Sequence, residues 1–295
     1  MTWRSLGHVP GGSPTFDLVV ATLGRVDELG RLLESLEAQT HHSFRVLVVD
    51  QNADERIEPV LSGRKLELVR VTSERGLARA RNAALELLEA DVVAFPDDDC
   101  RYPPTVLAEV AERLRARGEL DGLSIPMQDA GGGRDAGWSA EPTLLTTANL
   151  WNLVASAGLF LRRPLLERIG RFDEQLGIGA RGPWRSSEET DYVIRALRDG
   201  ARIAYDPTLS VEHPLTVASG PRLVARGRSE GASVGYLLRK HGYPPRMVGR
   251  MAIRPVGGVV LSLARLDTDR ARFHAATLSG RIRGYLGARR ANSSA

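Results

Sequence analysis

The sequence has a single cysteine, Cys100, among 295 residues, which excludes an internal disulfide framework. So little cysteine fits a reducing compartment, and we expect a cytoplasmic protein. Cys100 adjoins three aspartates. A lone thiol is nevertheless best interpreted as a buried or half-buried structural side chain.

The chain also lacks long apolar runs. Its first ten residues carry only Arg4 and His8 as basic residues and contain no apolar segment, which argues against a secretory signal. The longest apolar stretch, residues 256–264, is bounded by Arg254 and Arg265. It falls short of the roughly 18 residues that cross a bilayer. We therefore expect a soluble or peripheral protein.

Acidic residues are scarce at the C-terminal end. From Arg222 onward there are fifteen basic residues, fourteen of them arginine, against three acidic residues, a net charge of +12. Because the whole chain carries +4, the first 221 residues carry −8. This split indicates that the tail faces an anionic partner, with membrane phospholipid and nucleic acid as the candidates.

With 42% hydrophobic residues the chain can bury a substantial core, and single α/β sheets with attached segments reach this length. Apolar, β-prone runs alternate with amphipathic segments along the first hundred residues. This alternation predicts a mostly parallel sheet wrapped by helices through right-handed crossovers. The predicted strands are 16–21, 44–49, 66–71, 92–95 and 202–205; the predicted helices are 26–38, 77–88, 104–117 and 192–197; a flexible loop is predicted around the glycines 131–133.

Three consecutive carboxylates, Asp97, Asp98 and Asp99, follow the predicted strand 92–95. Adjacent like charges repel and resist burial, and the usual compensation is a divalent cation bound by their oxygen atoms. Alternate side chains of an extended segment face the same way, so Asp97 and Asp99 can share one cation. Ligands of open α/β sheets also gather at the carboxyl ends of strands. A metal site is therefore our first interpretation, with solvated loop aspartates as the alternative.

Six short motifs resemble the family 2 glycosyltransferases, a large inverting group with the nucleotide-binding GT-A fold. Each motif is weak alone, but their order and spacing are specific, and together they cover residues 16–214. The motifs are Leu18-Val19-Val20-Ala21-Thr22, Val48-Val49-Asp50-Gln51-Asn52, Arg75-Gly76-Leu77-Ala78-Arg79-Ala80-Arg81-Asn82, Phe95-Pro96-Asp97-Asp98-Asp99, Glu188-Glu189-Thr190-Asp191 and Val211-Glu212-His213-Pro214.

The resemblance implies an α/β fold of the GT-A type, a mostly parallel, Rossmann-like sheet flanked by helices, with a helical basic C-terminal extension. We expect an N-terminal segment (1–14), a catalytic domain (15–218) and a C-terminal extension (219–295). The catalytic domain consists of a nucleotide-binding half (15–100) and an acceptor half (101–218). The implied reaction is a metal-dependent, inverting transfer of a hexose or deoxyhexose from a nucleoside-diphosphate sugar. The implied acceptor is a hydroxyl of a saccharide, lipid-linked glycan or glycoconjugate precursor.

The resemblance also implies a cofactor, Mn²⁺ or Mg²⁺. Such a cation bridges both phosphates of the donor and neutralises the charge that develops on the leaving diphosphate. The implied ligands are Asp97, Asp99 and His213, with Asp98 nearer the sugar or the ribose.

The nucleoside is implied to lie at the ends of the first two strands. Thr22, Asp50 and Asn52 are the matching residues there, and Asp50 would accept a hydrogen bond from the base or ribose. The chain departs from the family at Gln51, where a second acidic residue is usual, so the details of base recognition do not carry over.

Inversion requires a base that removes the proton of the acceptor hydroxyl, and a carboxylate suits this role. Alignment with the family's Glu-Asp-x-Asp pattern makes Glu189 the base, one methylene longer than usual, and Asp191 the second choice. The alternative is that this acidic cluster only caps a helix. Four further residues are predicted to contact the diphosphate or the acceptor, each with a surface or core role as the alternative: Arg79, Arg81, Trp151 and Trp184.

Arginine alternates with apolar residues at near-helical spacing in the segments 224–239 and 271–286, which suits helices on an anionic membrane. We expect peripheral contact at the inner face of the cell membrane, with a solvated arginine-rich appendage as the alternative. Nucleic-acid binding is not expected, because the acidic cluster repels phosphate unless a metal intervenes. A nucleotidyltransferase of similar sheet architecture and a non-catalytic glycosyltransferase-like scaffold are the alternative functions.

Overall fold

The computed structural model describes residues 12–129, 137–214 and 219–292. The predicted loop glycines 131–133, and residues 1–11 of the predicted N-terminal segment, lie outside this range. The chain divides into two compact units. Residues 1–172 and 192–215 form the first, which we call the sheet unit, and residues 173–191 and 216–295 form the second, the helical unit.

A mostly parallel sheet forms the centre of the sheet unit. Its strands are β1 (Phe16–Thr22), β2 (Phe44–Asp50), β3 (Leu68–Thr72), β4 (Val92–Ala94), β5 (Gly122–Ser124), β7 (Thr143–Leu144), β8 (Leu159–Arg162) and β9 (Ile203–Tyr205), and a separate parallel pair consists of β6 (Met127–Gln128) and β10 (Val211–Glu212). The large sheet has the strand order β3-β2-β1-β4-β8-β5-β9-β7. Only β8 and β7 pair antiparallel to their neighbours among the described strands.

Helices cover both faces of this sheet. They are α1 (Val26–Glu37), α2 (Glu58–Leu61), α3 (Leu77–Leu85), α4 (Val106–Ala116), α5 (Arg163–Ile169) and α6 (Glu188–Arg198), the last of which spans the unit boundary at residue 191. The five predicted strands correspond to β1, β2, β3, β4 and β9, and the four predicted helices to α1, α3, α4 and α6. These predictions are confirmed.

The alternation of apolar side chains along the strands produces two cores. On β1, Leu18 and Val20 pack into one core with residues of α1 and α4, whereas Val19 packs into the other with residues of α3 and α5. Successive side chains of a strand point to opposite faces, and every one of these three is buried. A sheet buried on both faces presents its strand ends as the accessible edge.

Three long helices form most of the helical unit: α7 (Gly220–Lys240), α8 (Pro245–Ala264) and α9 (Thr268–Asn292). Glycines bring α7 and α9 into close contact. A Cβ atom at Gly231 would lie 2.3 Å from the Thr277 carbonyl oxygen, and one at Gly284 would lie 1.9 Å from that of Ala232. A larger side chain at either position would force the helix backbones apart.

One helix in the described part of the chain, α8, is long and apolar enough to cross a membrane by length and composition. This differs from the expectation that no segment approaches that length. The apolar run 256–264 is short by itself, but Arg254 lies inside the continuous helix rather than ending it. Only 17% of the most apolar 18-residue window of α8 is buried.

Candidate active site

The carboxyl ends of three neighbouring strands meet at one edge of the sheet. β1 lies between β2 and β4, and it ends at Thr22 while β2 ends at Asp50. Beyond β4, Asp97 forms an isolated parallel bridge with Ala21, which continues the line of β4 alongside β1. Thr22, Asp50 and the three aspartates 97–99 therefore share the edge where open α/β sheets bind their ligands.

Asp98 faces the end of β1. It accepts hydrogen bonds from the Thr22 hydroxyl at 2.9 Å and from Arg25 Nη1 at 2.9 Å. Burial raises the pKa of Asp98 above its ordinary value, although the contacts with Thr22 and Arg25 oppose the shift. Thr22 and Arg25 therefore favour the ionised form of Asp98 against the effect of burial.

Asp97 and Asp99 face a histidine from the other end of the unit. His213 Nε2 lies 3.2 Å from Asp99 Oδ1 and 3.9 Å from Asp97 Oδ2. The contact with Asp99 raises the pKa of His213. Burial pushes the pKa of Asp99 up, but His213 and Arg25 outweigh it and leave that pKa below its ordinary value. Arg25 Nη1 lies 2.6 Å from Asp99 Oδ2 and so bridges Asp98 and Asp99.

Asp97 also has partners below the edge. It accepts a hydrogen bond from the Ser156 hydroxyl at 3.1 Å and lies 3.5 Å from Arg81 Nη2. Arg81 is almost completely buried, with its guanidinium over the rings of Phe95 and Phe172. Stacking between aromatic faces offsets part of the cost of burying that charge.

Arg79, two residues before the buried Arg81 and therefore on the opposite side of α3, is differently placed. Its Nη1 lies 2.9 Å from Glu74 Oε2, and the Glu74 side chain is mostly exposed. The two arginines that the sequence grouped together therefore differ in burial and in partners.

The residues at this edge suit a divalent cation. Among the described residues no three His, Cys, Asp or Glu side chains are arranged as a preformed metal site. Asp99 Oδ1 is nevertheless a buried atom without a well-oriented hydrogen bond, since His213 Nε2 lies 3.2 Å away but does not point its N–H at it. A buried carboxylate oxygen without a hydrogen bond is costly, and a hard cation would satisfy it. Two carboxylates and an imidazole are a donor set that Mn²⁺ or Mg²⁺ accepts.

Asp50 has a mainly structural environment. Both Arg70 Nη2, at 2.7 Å, and Arg70 Nε, at 3.1 Å, donate to its Oδ2, and the backbone and side chain of Asn52 donate to its Oδ1. Asn52 in turn accepts a hydrogen bond from the Gly24 N–H at 2.8 Å. Asp50 and Asn52 thus order the loops at the ends of β1 and β2.

Gln51 connects the same edge to α3. Its side-chain oxygen accepts a hydrogen bond from the Gly76 N–H at 2.8 Å, and Gly76 immediately precedes the helix. Gly76 has φ +136°, a conformation that L side chains rarely adopt. An amide donates and accepts at once, whereas an ionised acid at position 51 could only accept.

The predicted base residues lie in the helical unit, at the start of α6. Ser187, directly before the helix, has φ +70°, which is unusual for a residue other than glycine. Asp191 is completely buried and contacts Lys240 Nζ at 2.6 Å and His241 Nε2 at 2.8 Å. Glu189 is only partly buried and accepts a hydrogen bond from the Thr190 hydroxyl at 3.1 Å.

The two predicted acceptor tryptophans have different surroundings. Trp151 is partly buried, in a 3₁₀ turn of the sheet unit, and its ring N–H donates to the Thr147 carbonyl at 3.3 Å. Trp184 belongs to the helical unit, where it stacks on Tyr236 with ring centroids 4.8 Å apart. That packing is a core environment for Trp184.

Sequence reasoning did not single out Arg25, Ser156, Lys240 or His241. A signal existed for Arg25, because a basic residue in the loop after β1 must lie at the same sheet edge as the aspartates. Ser156, Lys240 and His241 lie 59, 49 and 50 residues from their aspartate partners. Nothing local marks them, since these contacts depend on how distant segments pack.

Comparisons with known proteins show which family this chain resembles. The sequence model of the family described as "Glycosyl transferase family 2" matches residues 17–152. The uncharacterised glycosyltransferase YwdF of Bacillus subtilis is 23% identical over 76% of this chain and 83% of its own length. The succinoglycan biosynthesis protein ExoO of Rhizobium meliloti is 27% identical over 66% of this chain and 59% of its own length.

A solved structure resembles the fold. The mannosyltransferase PcManGT from Pyrobaculum calidifontis, in complex with GDP-Man and Mn²⁺, superposes with a TM-score of 0.65. The superposition covers 95% of this chain and 89% of that one, at 14% sequence identity. The α/β fold with its mostly parallel sheet is therefore of the GT-A type, as predicted.

Proposed function

We propose that this chain is a metal-dependent, inverting transferase of the family 2 glycosyltransferases, whose sequence model matches its residues 17–152. The donor is a nucleoside-diphosphate sugar carrying a hexose or deoxyhexose. The acceptor is a hydroxyl of a saccharide or a lipid-linked glycan, as part of polysaccharide or glycoconjugate assembly in the cytoplasm.

One observation carries this proposal: Asp97, Asp99 and His213 converge, and Asp99 Oδ1 is buried without a hydrogen bond. Most buried polar atoms are hydrogen-bonded, so an unsatisfied carboxylate oxygen among three acidic side chains calls for an explanation, and a bound cation supplies one. Its position beside Thr22, at the carboxyl edge of the sheet, is where a nucleotide binds in this architecture.

We assign the chain's own residues as follows. Asp97, Asp99 and His213 hold the cation, which when bound supplies the positive charge that stabilises the leaving diphosphate. Asp98, held by Thr22 and Arg25, faces the ribose or the sugar. Arg25 and the buried Arg81 limit the negative charge of the cluster, so that a phosphate group can approach it.

Glu189 is our proposed base. It removes the proton of the acceptor hydroxyl as that oxygen attacks the anomeric carbon opposite the diphosphate. The environment of Asp191 supports this choice, because a completely buried carboxylate with a lysine and a histidine as partners is not accessible to an acceptor.

Donor binding tests the proposal directly. Thermal unfolding would be followed with UDP-, GDP- and dTDP-sugars, each with and without Mn²⁺. We expect one donor, together with Mn²⁺, to raise the midpoint temperature by on the order of 5 °C at saturation. If no donor stabilises the protein in a metal-dependent manner, the proposal fails.

The base assignment has a separate test. Glu189→Gln should lower the transfer rate by about two to three orders of magnitude while leaving the affinity for the donor unchanged. Glu86→Gln is the control, since that side chain is mostly exposed and lies in the sheet unit. Normal transfer by Glu189→Gln would reject the assignment and return Asp191 to consideration.

A further inference from the structure

Helix α8 has two apolar faces, and only one of them is covered. Met247, Met251, Pro255 and Ser262 are buried at helical spacing within the helical unit. This face packs on α9, where a Cβ at Gly258 would lie 2.6 Å from the His274 ring. An ordinary surface helix would be polar on the opposite side.

The opposite side of α8 is apolar instead. Ile253, Val256, Val260 and Leu263 recur at spacings of three, four and three residues, which places them along one stripe of the helix. Ile253 is 69% exposed, Val260 62% and Leu263 54%. Leu266, just beyond the helix, is 89% exposed. A contiguous exposed stripe of large aliphatic side chains is typical of an interaction surface rather than of random scatter.

Arginines run along one flank of this stripe. Arg246, Arg250 and Arg254 follow each other at intervals of four residues, so they lie on adjacent turns of the same side. The segment 245–266 also contains Arg265 and has no acidic residue at all. The stripe is therefore bordered by positive charge that the helix itself does not neutralise.

We propose that this face of α8 docks on an anionic lipid bilayer. Ile253, Val256, Val260 and Leu263 enter the boundary between head groups and acyl chains, and the flanking arginines bind lipid phosphates. The helix lies in the plane of the interface, because its other face is occupied by α9. The sequence pointed to the segments 224–239 and 271–286 for such contact. The second of these exposes Ile282 and Leu286, but the longer exposed apolar stripe belongs to the helix between the two segments.

Charge favours an anionic bilayer over a second copy of this chain as the partner of this face of α8. Two copies joined through α8 would bring two sets of arginines together with no acidic residue in either helix to balance them. An anionic surface complements the same arginines. The proposal adds a partner to the glycosyltransferase but needs no donor or acceptor, so it can be tested apart from catalysis.

Vesicle co-sedimentation is the first test. The full chain would be mixed with phosphatidylcholine vesicles that contain either no phosphatidylglycerol or about one third of it. We expect binding to the anionic vesicles at least tenfold stronger than to the neutral ones. The double variant Ile253→Asn/Val260→Asn should bind the anionic vesicles at least tenfold more weakly.

A matched variant controls for the loss of an exposed aliphatic side chain. Leu87→Asn changes a residue that is 42% exposed but lies in the sheet unit, and it should bind vesicles like the unmodified protein. Circular dichroism and donor-induced thermal shifts should be the same for all variants, because none of the changed side chains is in the candidate active site. Binding reduced equally by Leu87→Asn would overturn the assignment to α8.

The arginines have their own test. Arg246→Gln/Arg250→Gln should weaken binding to anionic vesicles by on the order of twentyfold, and the difference should shrink at high salt. Light scattering should show a monomer for the unmodified protein and for each α8 variant. Three results would each overturn the proposal. They are a dimer that dissociates in Ile253→Asn/Val260→Asn, vesicle binding that resists alkaline extraction, and no vesicle binding by the unmodified chain.

Discussion

Two groups of buried aspartates in this protein are neutralised in opposite ways. In the sheet unit, Asp98 and Asp99 share Arg25, whose side chain is 49% exposed, and Asp99 Oδ1 has no hydrogen bond. In the helical unit, Asp191 contacts both Lys240 and His241, and Lys240 Nζ also lies 2.7 Å from Asp173. The first group has a half-exposed partner and an oxygen without a hydrogen bond, whereas in the second group Asp191 is enclosed by its partners.

The difference indicates which group is available to a ligand. A half-exposed guanidinium can move into solvent at little cost, so a cation or a phosphate can take its place beside Asp98 and Asp99. Removing a partner of the completely buried Asp191, such as Lys240, leaves an uncompensated charge in the interior and costs far more. We therefore propose that the aspartates 97–99 bind the ligand and that Asp191 holds the start of α6 on the end of α7.

The sharpest test of this contrast is Asp99→Asn. We expect transfer to fall on the order of a thousandfold, because the substitution removes a metal ligand. The free energy of unfolding should fall by only about 1 kcal/mol, because the substitution loses the ion pairs with Arg25 and His213 but also relieves the repulsion among three adjacent carboxylates. Enzyme assays and urea unfolding of the same preparation measure both quantities.

Asp54→Asn is the matched control for Asp99→Asn. Asp54 is an exposed aspartate of the sheet unit paired with Arg56 at 2.6 Å, so its substitution should leave transfer unchanged. An Asp99→Asn protein that transfers sugar normally, or that unfolds several kcal/mol more easily, would place Asp99 in the structural class with Asp191.

Asp191→Asn should give the reverse pattern. It leaves Lys240 and His241 without their buried carboxylate, and we expect a loss of about 3 kcal/mol in the free energy of unfolding. Urea unfolding followed by circular dichroism measures this loss. A change below about 1 kcal/mol would show that solvent reaches the cluster, and would remove our reason for preferring Glu189 as the base.

Arg25→Gln tests whether the open group is neutralised by a replaceable cation. Without the guanidinium, Mn²⁺ meets less repulsion at Asp98 and Asp99, and its affinity in the absence of nucleotide should rise about fivefold. Calorimetric titration with MnCl₂ measures it, with Arg56→Gln as the control. Weaker Mn²⁺ binding by Arg25→Gln would mean that the arginine organises the cation site rather than competing with the cation.

Much of the sheet unit could be predicted from the sequence, because strands such as β1 and helices such as α1 are encoded by local periodicity. The position of the aspartates 97–99 at a strand end could also be predicted, since these residues directly follow a strand that its own apolar residues identify. The pairing of Asp191 with Lys240 was not, because only tertiary packing joins residues 49 apart. The exposed stripe of α8 was missed for a related reason: composition cannot tell which apolar face finds a partner.

The smallest effect concerns Arg79, whose partner Glu74 is 73% exposed. An ion pair of this kind contributes little, so Arg79→Gln should change the free energy of unfolding by less than about 0.5 kcal/mol. If Arg79 also reaches the diphosphate, as its place at the start of α3 predicts, the KM for the donor should rise about threefold with kcat unchanged. Glu74→Gln removes the same ion pair and keeps the arginine, so it should leave KM unchanged. Equal KM values for both variants and the unmodified enzyme would mean that Arg79 does not contact the diphosphate, which would leave Arg81 as the candidate on α3.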